Sequence, residues 1–216
     1  MEPDYRELLI MHAYYPRRVP FFNPTGMHTV LFYASLFELA GAGHLTVDGD
    51  RLVVDGHITG DTVLDMVLEL VTPLSGAKIS RLQLLVPNKS AAVYRKQLDH
   101  MTKRNYLTYD EVNFLFWPIH RKYRVVKHDL LKPSQRELER MLLYGRPPVR
   151  ETWNFALLAL EAGLFRNIFT SGEPRRNAMK RARLTLKTEF HTANPTIASL
   201  HKSMRRTLTA QKASRS

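Results

Sequence analysis

The chain of 216 residues contains no cysteine. No disulfide can therefore hold the fold together, and thiol chemistry is excluded. A chain without cysteine fits a reducing compartment. Its stability must come from buried apolar side chains, and a hydrophobic content of 44% is enough for one substantial core at this length. One domain is therefore the expected organisation.

Long apolar runs are also missing. The longest uncharged apolar run near the N-terminus, residues 29–37, is far shorter than the roughly 20 residues that span a bilayer. The first four residues include Glu2 and Asp4 and lack the basic segment that opens a signal peptide. We therefore expect a cytoplasmic protein that reaches a membrane only from its surface.

Acidic residues are scarce in the second part of the chain. Residues 1–88 hold 6 Lys+Arg against 10 Asp+Glu, a net charge of −4, whereas residues 89–216 hold 26 against 10, a net charge of +16. Such an uneven balance produces an oriented electrostatic field and predicts an anionic partner surface. That partner is either nucleic acid or an anionic membrane.

No catalytic signature is present. The chain lacks a phosphate-cradling glycine loop, a nucleophile elbow and a histidine pair on one helical turn. His44 and His57 flank a predicted hairpin, where they are more simply exposed strand ends than metal ligands. The spacing of the nearby acidic residues fits no EF-hand loop; they are Asp48, Asp50, Asp55 and Asp61. We predict that the protein is not an enzyme and carries no metal or cofactor.

Hydrophobic periodicity predicts helices and a hairpin in the first half. Residues 27–42 are apolar at nearly every helical position, which predicts a buried helix that Gly41 and Gly43 end. Residues 44–56 alternate on both sides of Asp48-Gly49, which favours a tight hairpin. Asp61 then opens a helix with an apolar face.

The second half continues with further helices and a second hairpin. Pro73 and Pro87 bracket one helix, and residues 91–104 form a basic amphipathic helix. Strand-like segments then predict a hairpin near residues 112–127. Ser134 begins a capping box that opens the next helix, and residues 153–165 form an apolar helix.

The predicted fold is a single compact domain, mainly α-helical, with two small β-hairpins. It covers residues 1–190, and residues 191–216 form a basic tail that is helical or disordered. Eight leucines are predicted to lie on the buried helix faces: Leu31, Leu36, Leu39, Leu64, Leu68, Leu82, Leu157 and Leu160.

Two stretches, residues 36–45 (LFELAGAGHL) and 58–65 (ITGDTVLD), resemble the Golgi phosphoprotein 3 family in their order, their spacing and the identity of their residues. The resemblance extends from about Leu8 to Lys187 and is to the shorter, prokaryotic type of member. It implies a mostly helical peripheral protein that binds phosphoinositide on membranes. No enzymatic activity is implied.

The resemblance also indicates where a lipid headgroup would bind. The family uses a tryptophan and three arginines, whose positions fall near Asn23, Phe32, Ala91 and Tyr94 of this chain, and none of these four matches. Nearby basic residues could replace them, because a phosphate needs convergent donors rather than one fixed position. These headgroup candidates are Arg17, Arg18, Arg95 and Lys96; the alternative is a solvated face.

The family projects a hairpin for membrane contact and self-association, which implies the same here, including a homo-oligomer through the hairpin. Basic side chains would meet anionic headgroups and aromatic ones would enter the interface. The contact candidates are Trp117, Ile119, Arg121, Lys122, Tyr123 and Arg124. The alternative is a core strand with a merely charged tip. The expected partner is anionic lipid, such as phosphatidylinositol 4-phosphate.

A second interpretation places a nucleic-acid site in residues 89–127. A basic helix followed by a two-stranded wing is the order found in winged-helix proteins. Leu98, Met101 and Tyr106 leave few polar residues free to read bases, so we rank nucleic acid behind membrane.

Overall fold

The computed structural model describes residues 3–15, 24–114, 117–147, 150–188 and 194–214. The helices are α1 (Tyr5–Tyr14), α2 (Pro24–Gly41), α3 (Thr62–Val71), α4 (Leu82–Lys103), α5 (Leu131–Leu142), α6 (Arg150–Glu161), α7 (Phe165–Ile168), α8 (Gly172–Thr188) and α9 (Pro195–Ala213). Three short 3-10 helices span Thr72–Leu74, Ile79–Arg81 and His128–Leu130. The strands are β1 (Leu45–Asp48), β2 (Arg51–Val54), β3 (Leu107–Phe114) and β4 (Trp117–Val125).

Helix dominates this architecture. The protein is 70% helical, and its two small antiparallel hairpins pair β1 with β2 and β3 with β4. The predicted mainly α fold with two hairpins is therefore confirmed. The chain divides into two compact units, one of Met1–Pro24 with Gln97–Ala182 and one of Thr25–Lys96 with Arg183–Ser216. The predicted boundary between residues 190 and 191 stays a prediction.

The first unit is built around α1. A capping box opens this helix, since the Glu7 backbone N–H donates to Asp4 Oδ1 at 2.9 Å and the Asp4 N–H donates to the Glu7 carboxylate at 3.2 Å. Helix α1 contacts α5, α6, α7 and β4. Helix α6 is buried along every residue from Trp153 to Ala159, so the two helices form the centre of this unit.

The second unit is built around α2, which is apolar on all sides. A Schellman motif ends it: the His44 N–H donates to the Leu39 carbonyl at 2.9 Å, and Gly43 adopts φ +85°. Helix α9 packs in the same unit with its apolar face buried; that face consists of Ile197, Leu200, Met204 and Leu208. Its side chains also bond α2, since Tyr33 Oη lies 2.8 Å from Ser203 Oγ.

The predicted helix start at Asp61 and the predicted tight turn of the first hairpin are both confirmed, although the turn lies one residue further along the chain. Asp61 caps α3, and its carboxylate accepts from the N–H groups of Val63 and Leu64. In the first hairpin Asp48 pairs with Arg51, so the two central turn residues are Gly49 and Asp50 rather than Asp48 and Gly49. Gly49 has φ +59°, the positive angle that this turn position requires.

The predicted core is largely confirmed. Six of the eight leucines are 0–4% exposed; they are Leu31, Leu36, Leu39, Leu68, Leu82 and Leu157. Leu64 and Leu160 are only half-buried, so these two predictions of burial are wrong in degree.

The prediction that Pro87 ends a helix is wrong, since α4 runs through it without a break. An interior proline removes one helical hydrogen bond and destabilises a helix by about 3 kcal/mol. Here Leu82, Val86 and Val93 are all 0% exposed and share one face that continues past the proline. Burial of this face outweighs the local penalty.

Two other helix limits also differ from prediction. Helix α5 begins at Leu131 rather than Ser134, because Leu131 is itself buried in the core, and Ser134 Oγ donates to the Leu131 carbonyl. Helix α6 ends at Glu161 rather than continuing to Phe165. Gly163, at φ +73°, ends it in a second Schellman motif.

Candidate functional site

The second hairpin is longer than predicted and turns at a different place. Strand β3 begins at Leu107, and the last described pair of the hairpin joins Phe114 to Trp117. Among the six contact candidates, only Trp117 lies at the end of β4 that adjoins the connection to β3. Arg121, Lys122 and Arg124 lie further along β4. The expectation of a basic hairpin tip is wrong. The strand can continue through these charges because acidic residues face them from β3.

Strand alternation divides the side chains of β4 between two faces. Arg121 and Tyr123 share one face with Tyr109, and the Arg121 guanidinium lies 4.4 Å from the Tyr109 ring centroid. Lys122 and Arg124 share the other face with Asp110. The basic side chains predicted to act together are thus split between the two faces.

Tyr123 packs the hairpin against the first unit. It is 8% exposed, and its ring lies 5.7 Å from the rings of both Tyr14 on α1 and Tyr109 on β3. In this structure the ring packs within the first unit rather than facing solvent, so its burial speaks against the membrane role predicted for it. The side chains of Trp117 and Ile119 lie outside the described residues.

Ion pairs engage two of the cations on β4, Arg121 and Arg124. Arg124 Nη2 lies 2.6 Å from Asp110 Oδ1, and Arg121 lies 3.6 Å from both Asp99 and Glu111. Lys122 is exposed and forms no ion pair with any described residue. It is therefore the cation of this strand most available to an anionic partner.

A buried charged cluster anchors the base of the hairpin. Arg104, at the end of α4, donates from Nη1 to Glu7 Oε1 at 2.5 Å and from Nη2 to Tyr106 Oη at 2.9 Å. The Tyr106 ring also lies 4.9 Å from Lys127 Nζ, just past β4. Sequence reasoning missed this cluster. The Asp4-x-x-Glu7 spacing was the available signal, because it predicts a capped helix start.

Burial sets the charge state of Glu7. Its side chain is 0% exposed, and burial, followed by the nearby Asp4 carboxylate, raises the pKa of Glu7 from 4.5 to about 7. Arg104 opposes this shift but does not cancel it. The cluster therefore changes its charge near neutral pH.

The four headgroup candidates are not brought together by the described structure. Arg17 and Arg18 lie outside the described residues. Arg95 and Lys96 are exposed on α4 in the second unit, without an ion pair to any described residue. Arg95 contributes, after burial, to lowering the pKa of His28.

The positions implied by the family's headgroup pocket have another role here. Phe32 is 0% exposed and Tyr94 is 8% exposed, with the Tyr94 ring 4.4 Å from that of His28. These two positions belong to the core of the second unit, where a charged side chain would be buried. Ala91 is exposed, and Asn23 lies outside the described residues.

The described histidines and carboxylates form no group of three that could hold a metal ion. His57 is 84% exposed beside Asp55, at 3.4 Å. Within the described ranges, no helix combines the length and apolar character needed to cross a bilayer.

The mainly helical fold with two small hairpins is consistent with the family comparison. The sequence matches the family model of Golgi phosphoprotein 3 (GPP34) over residues 6–207. The protein therefore belongs to the Golgi phosphoprotein 3 family, as its sequence patterns predicted. No curated protein matches the chain.

Proposed function

We propose that this protein is a non-enzymatic peripheral protein that binds anionic lipid, including phosphoinositide headgroups, with the β3–β4 hairpin at the membrane. The observation that carries the proposal is the hairpin itself. It is fixed at its base by the Glu7–Arg104–Tyr106 cluster and by Tyr123, and on β4 it presents a lysine that forms no ion pair with a described residue. Membership of the Golgi phosphoprotein 3 family supports the same function.

The ion pairs on β4 decide which cation should contribute most. A basic residue near an anionic membrane contributes about 1 kcal/mol when its charge is free to act. Asp110 offsets Arg124, and Asp99 with Glu111 offsets Arg121, so their net attraction is reduced. Lys122 lies opposite Asp110 in the register but forms no ion pair with a described residue, so we expect it to contribute more attraction than either arginine of this strand.

Flotation with vesicles of phosphatidylcholine and phosphatidylserine, with and without phosphatidylinositol 4-phosphate, tests this proposal. Lys122→Glu should weaken binding to the anionic vesicles by about tenfold or more, since it replaces attraction by repulsion. Arg136→Glu on α5 is the matched control, because Arg136 is also exposed and without an ion pair to any described residue. Equal losses in both variants would contradict a contact at the hairpin.

Two further variants examine the rest of the hairpin. Changing Arg121, Lys122 and Arg124 together to glutamate should abolish binding to anionic vesicles. This variant also places acids beside Asp110 and Glu111, so circular dichroism must show that its fold is intact. Trp117→Ala should weaken binding even at high salt if the indole enters the interface.

Nucleic-acid binding is the alternative function. The observation that favours it is the chain order, since α4 is followed within four residues by a two-stranded hairpin, as in a winged helix. Duplex DNA and anionic vesicles should be compared at equal ionic strength, because both are polyanions. Loss of duplex binding by Lys122→Glu, with vesicle binding unchanged, would replace the membrane proposal by this one.

A further inference from the structure

The loop after α5 carries an exposed aromatic ring, and exposed cations lie in the same loop and on α8, one of which packs on the loop. Tyr144 is 77% exposed, against 41% for Tyr15 at the end of α1. Arg146 follows it in the loop and is also exposed. The exposed cations in the part of α8 that belongs to the first unit are Arg176, Lys180 and Arg181. These five residues form what we term the Tyr144 surface, which lies entirely within the first unit.

Gly145 in the loop and Arg181 on α8 bring the two parts of this surface, the loop and the helix, into contact. Gly145 has φ +73°, and the Arg146 N–H donates to the Arg140 carbonyl at 3.1 Å, so the loop closes tightly on the end of α5. A Cβ atom placed on Gly145 would lie only 2.8 Å from Arg181 Nη2. The Arg181 guanidinium therefore packs directly on the glycine, beside Tyr144.

The charges of this surface are available to a partner. None of its four cations forms an ion pair with a described residue. Arg176 and Lys180 are one helical turn apart and share a face of α8, whereas Arg181 points to the adjacent side, where it packs on Gly145. The single acid of this helix is Glu173, one turn before Arg176. Glu137 of α5 is paired with Arg140 at 2.6 Å.

We propose that the Tyr144 surface is a second contact with anionic lipid. A tyrosine ring is apolar with one polar edge and prefers the interfacial layer of a bilayer. Guanidinium groups beside it can pair with phosphate oxygens through two parallel hydrogen bonds. The proposal deepens the proposed function and rests on it, because it adds a contact that the hairpin does not supply.

A membrane fits this surface better than a nucleic acid does. Proteins that bind single strands stack successive bases on several aromatic rings, whereas this surface offers one protruding ring. A protruding ring with cations around it suits a flat anionic layer, because the ring enters while the cations stay at phosphate level.

Helix α9 supplies a matched comparison. Lys202, Arg206 and Lys212 are exposed on one side of it and form no ion pair with a described residue. No exposed large hydrophobic or aromatic side chain accompanies them on α9. If the attraction to the membrane is purely nonspecific, removing these three charges should weaken binding as much as removing the three on α8. A lipid site at Tyr144 predicts a large loss only for the α8 charges.

The test compares two triple variants in flotation with phosphatidylcholine–phosphatidylserine vesicles. Arg176→Gln/Lys180→Gln/Arg181→Gln should weaken binding roughly 100-fold, from three attractions lost together. Lys202→Gln/Arg206→Gln/Lys212→Gln removes the same charge and should stay within a few-fold of the parent. Glutamine is a good helix former, so both helices should be retained. Equal losses in the two variants would overturn the proposal in favour of nonspecific attraction.

Variants of Tyr144 distinguish insertion of the ring into the membrane from electrostatic attraction by the cations. Tyr144→Ala should weaken binding several-fold even at high salt, whereas Tyr144→Phe, which keeps the ring, should retain most of the binding. Parent-like binding of both the α8 triple variant and Tyr144→Ala would overturn the proposal. So would loss of duplex DNA binding by the α8 variant with vesicle binding intact, which would assign the surface to nucleic acid.

The hairpin variants distinguish the two membrane contacts. If Lys122→Glu loses binding while the α8 variant does not, the hairpin contact stands and the Tyr144 surface is overturned. The reverse result supports the Tyr144 surface and contradicts the hairpin contact. A parent protein that does not float with anionic vesicles would overturn both.

Discussion

Each of the two compact units contains a buried polar cluster, and the clusters differ in charge. In the first unit, Glu7 and Arg104 form an ion pair that also bonds Tyr106. In the second, Tyr33 Oη lies 2.8 Å from Ser203 Oγ and 3.2 Å from Thr207 Oγ1. The first cluster changes its charge near neutral pH, whereas the second stays neutral. The two clusters are similarly buried, but only the first contains a group that titrates near neutral pH. Only its contribution to stability should therefore depend on pH.

The Tyr33 cluster stays neutral for a physical reason. Tyr33 is 0% exposed, and burial raises its pKa above the ordinary value of 10. The hydroxyl groups satisfy one another, and Thr207 Oγ1 also donates to the Ser203 carbonyl at 3.1 Å. Neutral, mutually bonded groups avoid the desolvation penalty that a buried carboxylate carries.

The largest expected effect comes from breaking the ion pair in the first unit. Arg104→Met leaves the Glu7 carboxylate buried without its cation. At pH 8 this should lower the free energy of unfolding by about 3–5 kcal/mol. Urea denaturation measures the change. A loss below about 1 kcal/mol would show that Arg104 does not compensate the buried charge.

The double variant Glu7→Gln/Arg104→Met supplies the control. Removing both charges should recover much of the lost stability, since no uncompensated carboxylate remains. The double-mutant cycle then isolates the pair from the packing of the arginine stem. If the double variant is as unstable as Arg104→Met alone, the loss comes from packing rather than charge.

The next effect is a pH dependence with two opposing parts. The folded pKa of Glu7, about 7, lies above its ordinary value of 4.5, so the native state binds more protons between these values. Its contribution to stability therefore falls by about 3 kcal/mol as pH rises from 4.5 to 7. Burial lowers the pKa of His12 from 6.5 to about 4, so its contribution rises by a similar amount as pH rises from 4 to 6.5.

These two contributions should nearly cancel between pH 4.5 and 6.5 and can be separated by substitution. In Glu7→Gln, stability should rise with pH over this range because the His12 contribution remains. In His12→Gln it should fall, because the Glu7 contribution remains. Urea unfolding of each variant at several pH values gives the slopes. Identical slopes in the two variants would refute the assigned pKa shifts.

The smallest effect is expected in the second unit. Tyr33→Phe removes one hydroxyl from the neutral cluster and should destabilise the protein by about 1 kcal/mol. Ser203 and Thr207 can still bond backbone or each other, which limits the loss. The change in stability should be the same at pH 5 and pH 8. If the destabilisation by Tyr33→Phe differed between these two pH values, the Tyr33 cluster would be sensitive to pH as well, and the two clusters would not differ in this respect.

Local sequence signals predicted the fold where they act within a few residues. Asp61 caps α3 and Gly43 ends α2, as expected, because caps depend on side chains and backbone angles close in sequence. Pro87 was misjudged because burial of the apolar face of α4 outweighs the local penalty of a proline. That burial depends on neighbours distant in sequence, which periodicity alone does not identify.

The candidate site was less predictable than the fold. Composition identified the basic, aromatic strand, but the strand register decided which cations are neutralised. Arg124 is paired with Asp110, fourteen residues earlier, and Tyr123 is buried against Tyr14. The Tyr144 surface was not predicted, because its loop and helix are more than thirty residues apart in sequence.

The sequence by itself determined the family, the helical class, the two hairpins and the excess of positive charge. These properties follow from periodicity, turn residues and composition, which act locally or sum over the chain. Only the tertiary structure decided that Glu7 is buried beside Arg104, that Lys122 forms no ion pair with a described residue, and that Arg181 packs on Gly145. Each depends on the distance between side chains far apart in the chain, and electrostatic energy and desolvation vary steeply with that distance.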